Sequence, residues 1–428
     1  MTMESIAALE AQLDSFDRAE RDAALDALAE TANNGQIDLP DPQAKVNLHA
    51  HTFYSYNAMG YSPSHIVWRA RREGLEIVGL VDFDVLDGVD EFFTAGTKLG
   101  IKTVAGMETR VYIPQFSTRE ITSPGEPGIT YHMGTGFVRS GIDDPAAAAF
   151  AEMLRTNARK RNMDVVERVN AYLDPVTLNY DADVLPMSPS GTPTERHLCA
   201  AYEARAGQVF PDRDERVEFW ADMLDIPPET MAETLDDSRA LQALIRSNTM
   251  KRGGVAYQAP TPETFPAMTD FNAFVRAAGG IPTMTWLDGT RAGEQAIEEL
   301  LDLQMADGVA ALNIIPDRNW NLDDPDEKKT KVANLYRIVE LANARHLPLV
   351  VGTEMNAPGL KFVDTFDAPE LAPVRDAFLR GARILAGHTI SVLRDGHGYL
   401  SDWAADRFPN IADKNDYFEG LGRQAPQS

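Results

Sequence analysis

The apolar positions along the chain fall into two alternating patterns. Short runs such as residues 76–81 and 281–286 have the length and composition of buried strands. Longer segments between such runs, including 89–99 and 326–344, carry apolar residues at helical spacing. We count seven strands, and their alternation with helices implies parallel strands joined by helical crossovers. The sequence therefore predicts an α/β fold, a distorted (β/α)7 TIM-like barrel.

Two parts of the chain depart from this alternation. Residues 1–44 carry apolar side chains at roughly helical spacing, which predicts an N-terminal helical extension on the outside of the fold. The stretch from about 180 to 279 is irregular and mostly helical, and we interpret it as an insertion into the barrel. The barrel would then span residues 45–380, with residues 381–428 packed on it as a C-terminal tail.

The composition narrows the range of partners. The chain has 428 residues and a formal net charge of −25 at pH 7, which argues against binding any nucleic acid larger than a short nucleotide. Cys199 is the single cysteine, so no intramolecular disulfide can form. The N-terminus is too polar for a secretory signal, and no apolar run reaches the roughly 18 residues of a membrane span. We therefore expect a cytoplasmic protein without a membrane partner, while its oligomeric state stays open.

The first predicted strand leads into two histidines, in the sequence KVNLHAHTFYSYN at residues 45–57. His49 and His51 are two residues apart, so a strand would point both side chains to one face. Two neutral imidazoles at this spacing can hold one divalent metal ion. The alternative is a strand whose polar face happens to carry two histidines. The ends of the other strands help to decide between these interpretations.

Further side chains able to bind metal lie on later predicted strands. They are Asp82 and Asp84 at the end of strand two, Glu108 on strand three, His132 on strand four and Glu354 at the end of strand seven. In (β/α) barrels the active site lies at the carboxyl ends of the strands, so these side chains would meet. Chance placement is therefore a poor account of the set, although any single member could be a buried core residue.

The ordered set of motifs resembles the PHP family, whose name stands for polymerase and histidinol phosphatase. The motifs are HAH at residues 49–51, Gly106-Met107-Glu108, His132 on strand four and the pair Arg196-His197. The resemblance covers roughly residues 45–360 and is nearest to stand-alone phosphoesterases that carry a helical insertion. It implies a metal-dependent hydrolase of phosphoesters.

The resemblance also implies a set of metal ligands. They are His49, His51, Glu108, His132, His197 and Glu354. Glu108 would bridge two ions, the first bound by the HxH motif and Glu354 and the second by the other two histidines. Family members carry Asp where this chain has Glu354, whose longer side chain shifts the geometry.

A third ion is not expected in this chain. The residues that hold it in the family are replaced here by Tyr56, Phe83 and Asn356. We therefore expect about two divalent transition-metal ions per chain. Manganese, zinc or iron would suit a site built from imidazole and carboxylate.

The remaining candidates concern the substrate. Two metal ions would activate a water for attack on phosphorus, with Glu108 between them. Arg159 and Arg161, in a basic part of a predicted helix, are candidates to clamp the phosphate, with a solvated helix face as the alternative. Asp82 is a candidate to orient a metal-bound histidine or, alternatively, to cap the end of the barrel.

These features predict a metal-dependent phosphoesterase acting on a small phosphorylated metabolite or nucleotide. Two alternatives stay open at this point. The same metals could activate water against another bond, such as C–N. The chain could also be a non-catalytic barrel that binds a ligand without cleaving it.

Overall fold

The strands form a single, nearly closed barrel. The computed structural model describes residues 2–258 and 264–424, and seven strands of this part form one sheet in sequence order. They are β1 (Gln43–Asn47), β2 (Leu75–Phe83), β3 (Lys102–Tyr112), β4 (Ile129–Phe137), β5 (Ile281–Trp286), β6 (Ala311–Ile314) and β7 (Leu349–Val351). Beyond β1 and β7 the chain continues to pair, with a parallel bridge between Ala50 and Glu354. This contact joins the first and last strands and confirms the predicted fold class.

Helices surround the barrel and build the insertion. In chain order they are α1 (Met3–Gln12), α2 (Arg18–Asn33), α3 (Pro63–Arg72), α4 (Val89–Leu99), α5 (Pro145–Leu173), α6 (Glu195–Val209), α7 (Arg213–Leu224), α8 (Pro228–Thr234), α9 (Ser238–Thr249), α10 (Met268–Ala277), α11 (Ala292–Gln295), α12 (Ile297–Ala306), α13 (Asp317–Trp320), α14 (Pro325–Ala344), α15 (Arg375–Asp395), α16 (Asp402–Arg407) and α17 (Ile411–Gly422). None of the described helices is long and apolar enough to cross a membrane.

The direction of β4 corrects one prediction. We expected parallel strands throughout, but β4 runs antiparallel to both β3 and β5. The cause is the connection at residues 113–128, where the structure has a single 3₁₀ turn (Pro114–Phe116) and no crossover helix. A parallel neighbour usually needs a helical crossover that returns the chain to the same end of the sheet. Without it, the chain turns back directly and β4 descends beside β3.

Two separate hydrophobic cores underlie the domain organisation. The larger core fills the barrel and the layer of helices around it, and it includes Trp68, Phe92 and Trp286. The smaller core lies in the insertion and includes Trp220 and Tyr202 from α7 and α6. Residues of the second half of α5 belong to this smaller core, so that helix links the barrel to the insertion.

The N-terminal and C-terminal segments pack on the outside of the barrel. Arg21 on α2 forms a buried ion pair with Glu91 on α4, with 2.5 Å between Nη2 and Oε2. At the other end of the chain, α15 packs against β7 and against α17. Glycines allow the close approach of the two helices, because a Cβ atom at Gly387 would lie 1.8 Å from the carbonyl oxygen of Phe418.

A candidate metal centre at the mouth of the barrel

The two histidines of the HxH motif lie just beyond β1, where the chain pairs with the extension of β7. The backbone N–H of His51 donates to Glu354 O at 2.8 Å, and Glu354 N–H donates to His49 O at 2.7 Å. This pairing preserves the two-residue alternation of a strand, although β1 itself ends at Asn47. Both imidazoles therefore point to the same side, with 3.4 Å between their Nε2 atoms.

Glu108 completes a compact cluster with these histidines. Its Oε2 atom lies 3.1 Å from His49 Nε2, and one ligand atom from each of His49, His51 and Glu108 lies within 4.8 Å of the others. All three residues are buried. Within the part of the chain that the structure describes, no other three His, Cys, Asp or Glu side chains converge in this way.

Hydrogen bonds on the far side of each ring set the orientation of the histidines. His49 Nδ1 lies 3.1 Å from Asn313 Oδ1, and His51 Nδ1 lies 3.0 Å from Ser55 Oγ. The Ser55 hydroxyl donates to Asp82, so it accepts from His51. Each ring therefore carries its hydrogen on Nδ1 and turns the lone pair of Nε2 toward Glu108. Such partners of the ligands fix both tautomer and direction in metal sites.

Asp82 reaches the cluster only through Ser55. Its carboxylate accepts hydrogen bonds from the Thr52 backbone and hydroxyl and from the Ser55 hydroxyl. Burial raises the pKa of Asp82 to about 6, against the effect of these hydrogen bonds. The side chain is thus positioned to orient His51, one of the two roles we considered from the sequence.

The donor set fits one divalent transition metal. The two Nε2 lone pairs face each other at 3.4 Å, an arrangement that needs a cation or a proton between them. Burial lowers the pKa of His51 to about 3, which leaves this ring neutral and able to bind a metal. Burial also opposes a charge on His49, but the carboxylates of Glu108 and Glu354 raise the pKa of that ring. Two imidazoles and one carboxylate suit zinc, manganese or iron.

Glu354 lies beside this cluster, but an arginine binds its carboxylate. Arg318 Nη2 is 2.9 Å from Glu354 Oε2. Burial would raise the pKa of Glu354, yet Arg318 and the two histidines lower it to about 2. The residue has a φ of +64°, a left-handed conformation that is uncommon outside glycine. Its carboxylate is therefore charged, but it is already engaged by a guanidinium.

The structure does not bring His132 to the cluster. In β4 the side chains of Tyr131 and Met133 face the barrel interior, since Tyr131 lines the cavity described below. His132 points outward, where Nε2 lies 2.7 Å from Asn272 Oδ1 and the ring packs on Phe271 of α10. Burial lowers its pKa to about 4. The structure therefore places this predicted ligand on the opposite face of its strand, away from the cluster.

His197 is also absent from the cluster. It is the third residue of α6, and its Nδ1 accepts a hydrogen bond from the backbone N–H of Thr194 at 3.0 Å. The ring contacts Tyr56 edge to face, with 5.0 Å between centroids. The side chain therefore caps the N-terminus of α6. Of the six predicted metal ligands, the structure therefore brings His49, His51 and Glu108 into one cluster and places His132 and His197 outside it.

A cavity of about 230 Å³ opens beside the cluster, and arginines dominate its charged wall. His51, Glu108 and Glu354 form one part of the wall. The seven arginines that line it are Arg110, Arg155, Arg161, Arg196, Arg246, Arg291 and Arg318. They outnumber the acidic residues of the wall, in a chain that is strongly acidic overall. Tyr56, Phe83 and Asn356, the positions expected to have lost a third metal, also line the cavity.

The structure separates the two arginines proposed from the sequence. Arg161 faces the cavity and lies 4.0 Å from Asp84, with 17% of its side chain exposed. Its Nε atom is buried and has no hydrogen-bond partner among the described residues. Arg159, two residues earlier, lies outside the cavity, is 46% exposed and pairs with Asp181 at 2.7 Å. Arg161 is therefore placed to bind an anion, and Arg159 occupies the solvated face of α5.

Several residues of the site were missed in the sequence. Arg110 shares a strand face with Glu108, so the two-residue alternation could have revealed it. Arg318 follows β6 on α13, and the rule that places active sites at strand ends could have revealed it too. Asn313 and Ser55 gave no signal, because their contacts with the histidines depend on the folded structure.

The cluster lies at the carboxyl ends of the strands of an α/β barrel, where the active sites of such barrels are found. Residues 47–188, about one third of the chain, match the PHP domain. This match confirms, over that part of the chain, the resemblance to the PHP family found in the motifs. A 5'-3' exoribonuclease of Haemophilus influenzae is 34% identical over 64 residues. That match covers 15% of this chain and only 23% of the length of the exoribonuclease.

Two solved structures have a related overall shape. One is an amidohydrolase from Chromobacterium violaceum with bound sulfate and no metal, with a TM-score of 0.49 and 16% identity over 78% of this chain and 96% of the other. The second is a candidate metal-dependent phosphoesterase from Bifidobacterium adolescentis, with a TM-score of 0.48 and 20% identity over 79% of this chain and 98% of the other.

Proposed function

We propose that this chain is a metal-dependent phosphoesterase that hydrolyses a small phosphorylated molecule, such as a metabolite or nucleotide. The observation that carries the proposal is the position of the His49–His51–Glu108 cluster beside a cavity lined by seven arginines. The PHP domain at residues 47–188 supports metal-dependent hydrolysis in general. The arginines support an anionic substrate in particular.

The charge of the cavity favours phosphate over a neutral amide. Guanidinium groups match the oxygens of a phosphate with pairs of parallel hydrogen bonds. Several wall arginines already have a carboxylate partner, as Arg246 does with Glu195 at 2.9 Å. Arg196 forms no ion pair with a described residue, and Arg161 has only the 4.0 Å contact with Asp84. These two arginines retain hydrogen-bonding capacity for a bound anion.

The residues of the cluster have separable roles in this proposal. His49, His51 and Glu108 would hold one manganese, zinc or iron ion. When bound, that ion would supply a water of lowered pKa and a positive charge for the phosphoryl oxygens. Asn313 and Ser55 keep the two imidazoles oriented, with Asp82 behind Ser55. Arg161 and Arg196 would hold the phosphate, and Phe83 and Tyr56 would contact the rest of the molecule.

A panel of substrates tests this proposal. Purified protein would be stripped of metal, reloaded separately with manganese, zinc or iron, and assayed against phosphomonoesters, phosphodiesters and amides. We expect phosphoester hydrolysis that is lost on chelation and restored by metal. Hydrolysis of amides alone would replace the proposal with a C–N hydrolase. Metal binding without any turnover would favour the non-catalytic barrel.

A further inference from the structure

One cationic side chain is in direct contact with a carboxylate at the metal cluster. Arg318 Nη2 lies 2.9 Å from Glu354 Oε2, and the backbone of Glu354 is hydrogen-bonded to both His49 and His51. The guanidinium therefore lies within the same small region as the cluster. The resemblance to the PHP family assigns this carboxylate to a metal, yet here it has a different cation as its partner.

Arg318 is also open to the cavity. It lies on the short helix α13, directly after β6, and its side chain is 48% exposed. Nη2 is engaged by Glu354, whereas Nε and Nη1 form no hydrogen bond with any described residue. The side chain lines the cavity, so these remaining donors are available to a bound molecule. Arg318 can therefore contact Glu354 and an anionic substrate together.

We propose that the Arg318 guanidinium takes the place of a second metal ion, so that the centre works with one metal and one arginine. This inference rests on the proposed function, since it assigns the cations that would face the phosphate. The two carboxylates nearby, Glu108 and Glu354, carry two negative charges between them. One divalent ion and one guanidinium balance these charges and leave a single positive charge toward the substrate.

The same geometry disfavours a second metal. His132 points away from the barrel interior, and His197 Nδ1 is bonded at the start of α6, so neither histidine predicted for that ion lies in the cluster and only Glu108 remains of its predicted ligands. The carboxylate of Glu354 is already paired. A second divalent ion would also lie close to the fixed positive charge of Arg318, and like charges at such distances repel strongly in a buried site.

A phosphoryl group between the ion and Arg318 would meet positive charge on two sides. Charge spreads over the phosphoryl oxygens as the bond to the leaving group breaks, and catalysis depends on cations placed where that charge develops. The planar guanidinium can donate two hydrogen bonds to one phosphoryl group. Glu354 would then act as a positioning residue that holds Arg318 in this orientation.

Metal analysis and chemical rescue test the inference together. Metal-replete wild-type protein is expected to contain one transition-metal ion per chain. Arg318→Ala should keep its ion and lose at least about 100-fold in kcat, the loss typical for one preorganised donor to a transition state. Free guanidinium ion, added at concentrations that do not unfold the protein, should raise the kcat of Arg318→Ala at least tenfold. Arg337→Ala, which removes an exposed arginine paired with Glu298, is the matched control and should behave as wild type.

Several results would overturn the inference. Two or more ions per wild-type chain would show that a metal, and not Arg318, fills the second position. Full activity in Arg318→Ala, loss of activity without rescue, or simultaneous loss of the metal would each exclude the proposed role. The wild-type metal count is informative even if Arg318→Ala does not fold. If no phosphoester is hydrolysed, that result contradicts the proposed function. The wild-type metal count still tests the inference in that case, because two or more ions would overturn it.

Discussion

The direction of individual side chains determines which residues serve the site. In β4, Tyr131 lines the cavity and His132, its immediate neighbour, packs against α10 on the outside of the barrel. Because strand side chains alternate, a shift of one residue exchanges the two faces. His49 and Glu108 were identified correctly as neighbours because each falls on the inner face at the mouth of the barrel.

Substitution of His132 tests this distinction. His132→Ala should keep the full metal content, because the side chain faces away from the cluster. It should lower the free energy of unfolding by about 1–3 kcal/mol, since Asn272 loses a buried hydrogen-bond partner. Metal content by mass spectrometry and unfolding in urea are the measurements. His49→Ala provides the comparison and should lose the ion, whereas loss of metal from His132→Ala would restore that residue as a ligand.

Arg161 and Arg159 form a natural pair of variants on one helix. Arg161→Ala should lower kcat/KM by about 1.5–3 kcal/mol, or roughly 10- to 150-fold, since a charged hydrogen bond to the phosphate is lost. Arg159→Ala should leave the kinetics unchanged, because this exposed side chain lies outside the cavity. Steady-state kinetics of both variants give the answer. Equal losses in both, or none in either, would remove the proposed role of Arg161.

At the scale of secondary structure, the apolar pattern predicted where helices and strands lie in the sequence better than it predicted the direction in which each strand runs. The boundaries of α4 and β5 agree with the prediction, since both elements have strong local periodicity and well-defined ends. The direction of β4 depends on how residues 113–128 fold back, and no periodicity in the sequence reports it. The contact between Arg318 and Glu354 could not be predicted from the local pattern either, because these residues follow different strands and are 36 residues apart in sequence.

The start of α6 connects the insertion to the barrel through Glu195. Its carboxylate lies 2.9 Å from both Arg246 Nε and Lys251 Nζ, and 3.6 Å from Arg110 Nη2 on β3. Burial alone would raise the pKa of Glu195, but these cations hold it well below its ordinary value. Arg246 and Lys251 pair only with Glu195 among the described residues, whereas Arg110 also pairs with Glu126 at 3.0 Å.

Removal of that charge should destabilise the protein in a pH-dependent manner. Glu195→Gln should lower the free energy of unfolding at pH 7 by about 3 kcal/mol, because Arg246 and Lys251 lose their carboxylate partner and Arg110 keeps only Glu126. A carboxylate with a lowered pKa stabilises the fold fully above its ordinary pKa of 4.5 and loses this effect as the pH falls. The difference between wild type and variant in urea unfolding should therefore shrink below pH 4.5. Glu298→Gln, in the exposed pair of Glu298 and Arg337, is the control and should change the free energy of unfolding little. A difference between wild type and Glu195→Gln that does not depend on pH would contradict this account.

At the scale of the whole molecule, the charge of the chain and the charge of the cavity have opposite signs. The net charge is −25, yet both the barrel and the insertion contribute arginines to the cavity, such as Arg110 from β3 and Arg246 from α9. The anionic substrate that we propose would therefore be repelled at long range and attracted at short range. The grouping of arginines around the cavity results from the fold and could not be predicted from the overall composition.

The dependence of KM on ionic strength shows whether the cavity arginines or the acidic surface of the chain governs substrate binding. If the arginines dominate, added salt should raise KM for a phosphorylated substrate, because screening weakens the local attraction. The test compares low salt, where the Debye length is about 30 Å, with physiological salt, where it is about 8 Å. Arg161→Ala should show a weaker salt dependence than wild type. A fall in KM with salt would mean that repulsion by the acidic surface governs substrate binding.

The most direct test of the account is the position of the metal ion. A crystal of protein loaded with manganese or zinc, measured at the absorption edge of the metal, locates the ion by anomalous scattering. We predict one peak, about 2.0–2.3 Å from His49 Nε2, His51 Nε2 and a carboxylate oxygen of Glu108. The absence of a peak at these three residues, or a fully occupied peak beside His132 or His197, would contradict the account.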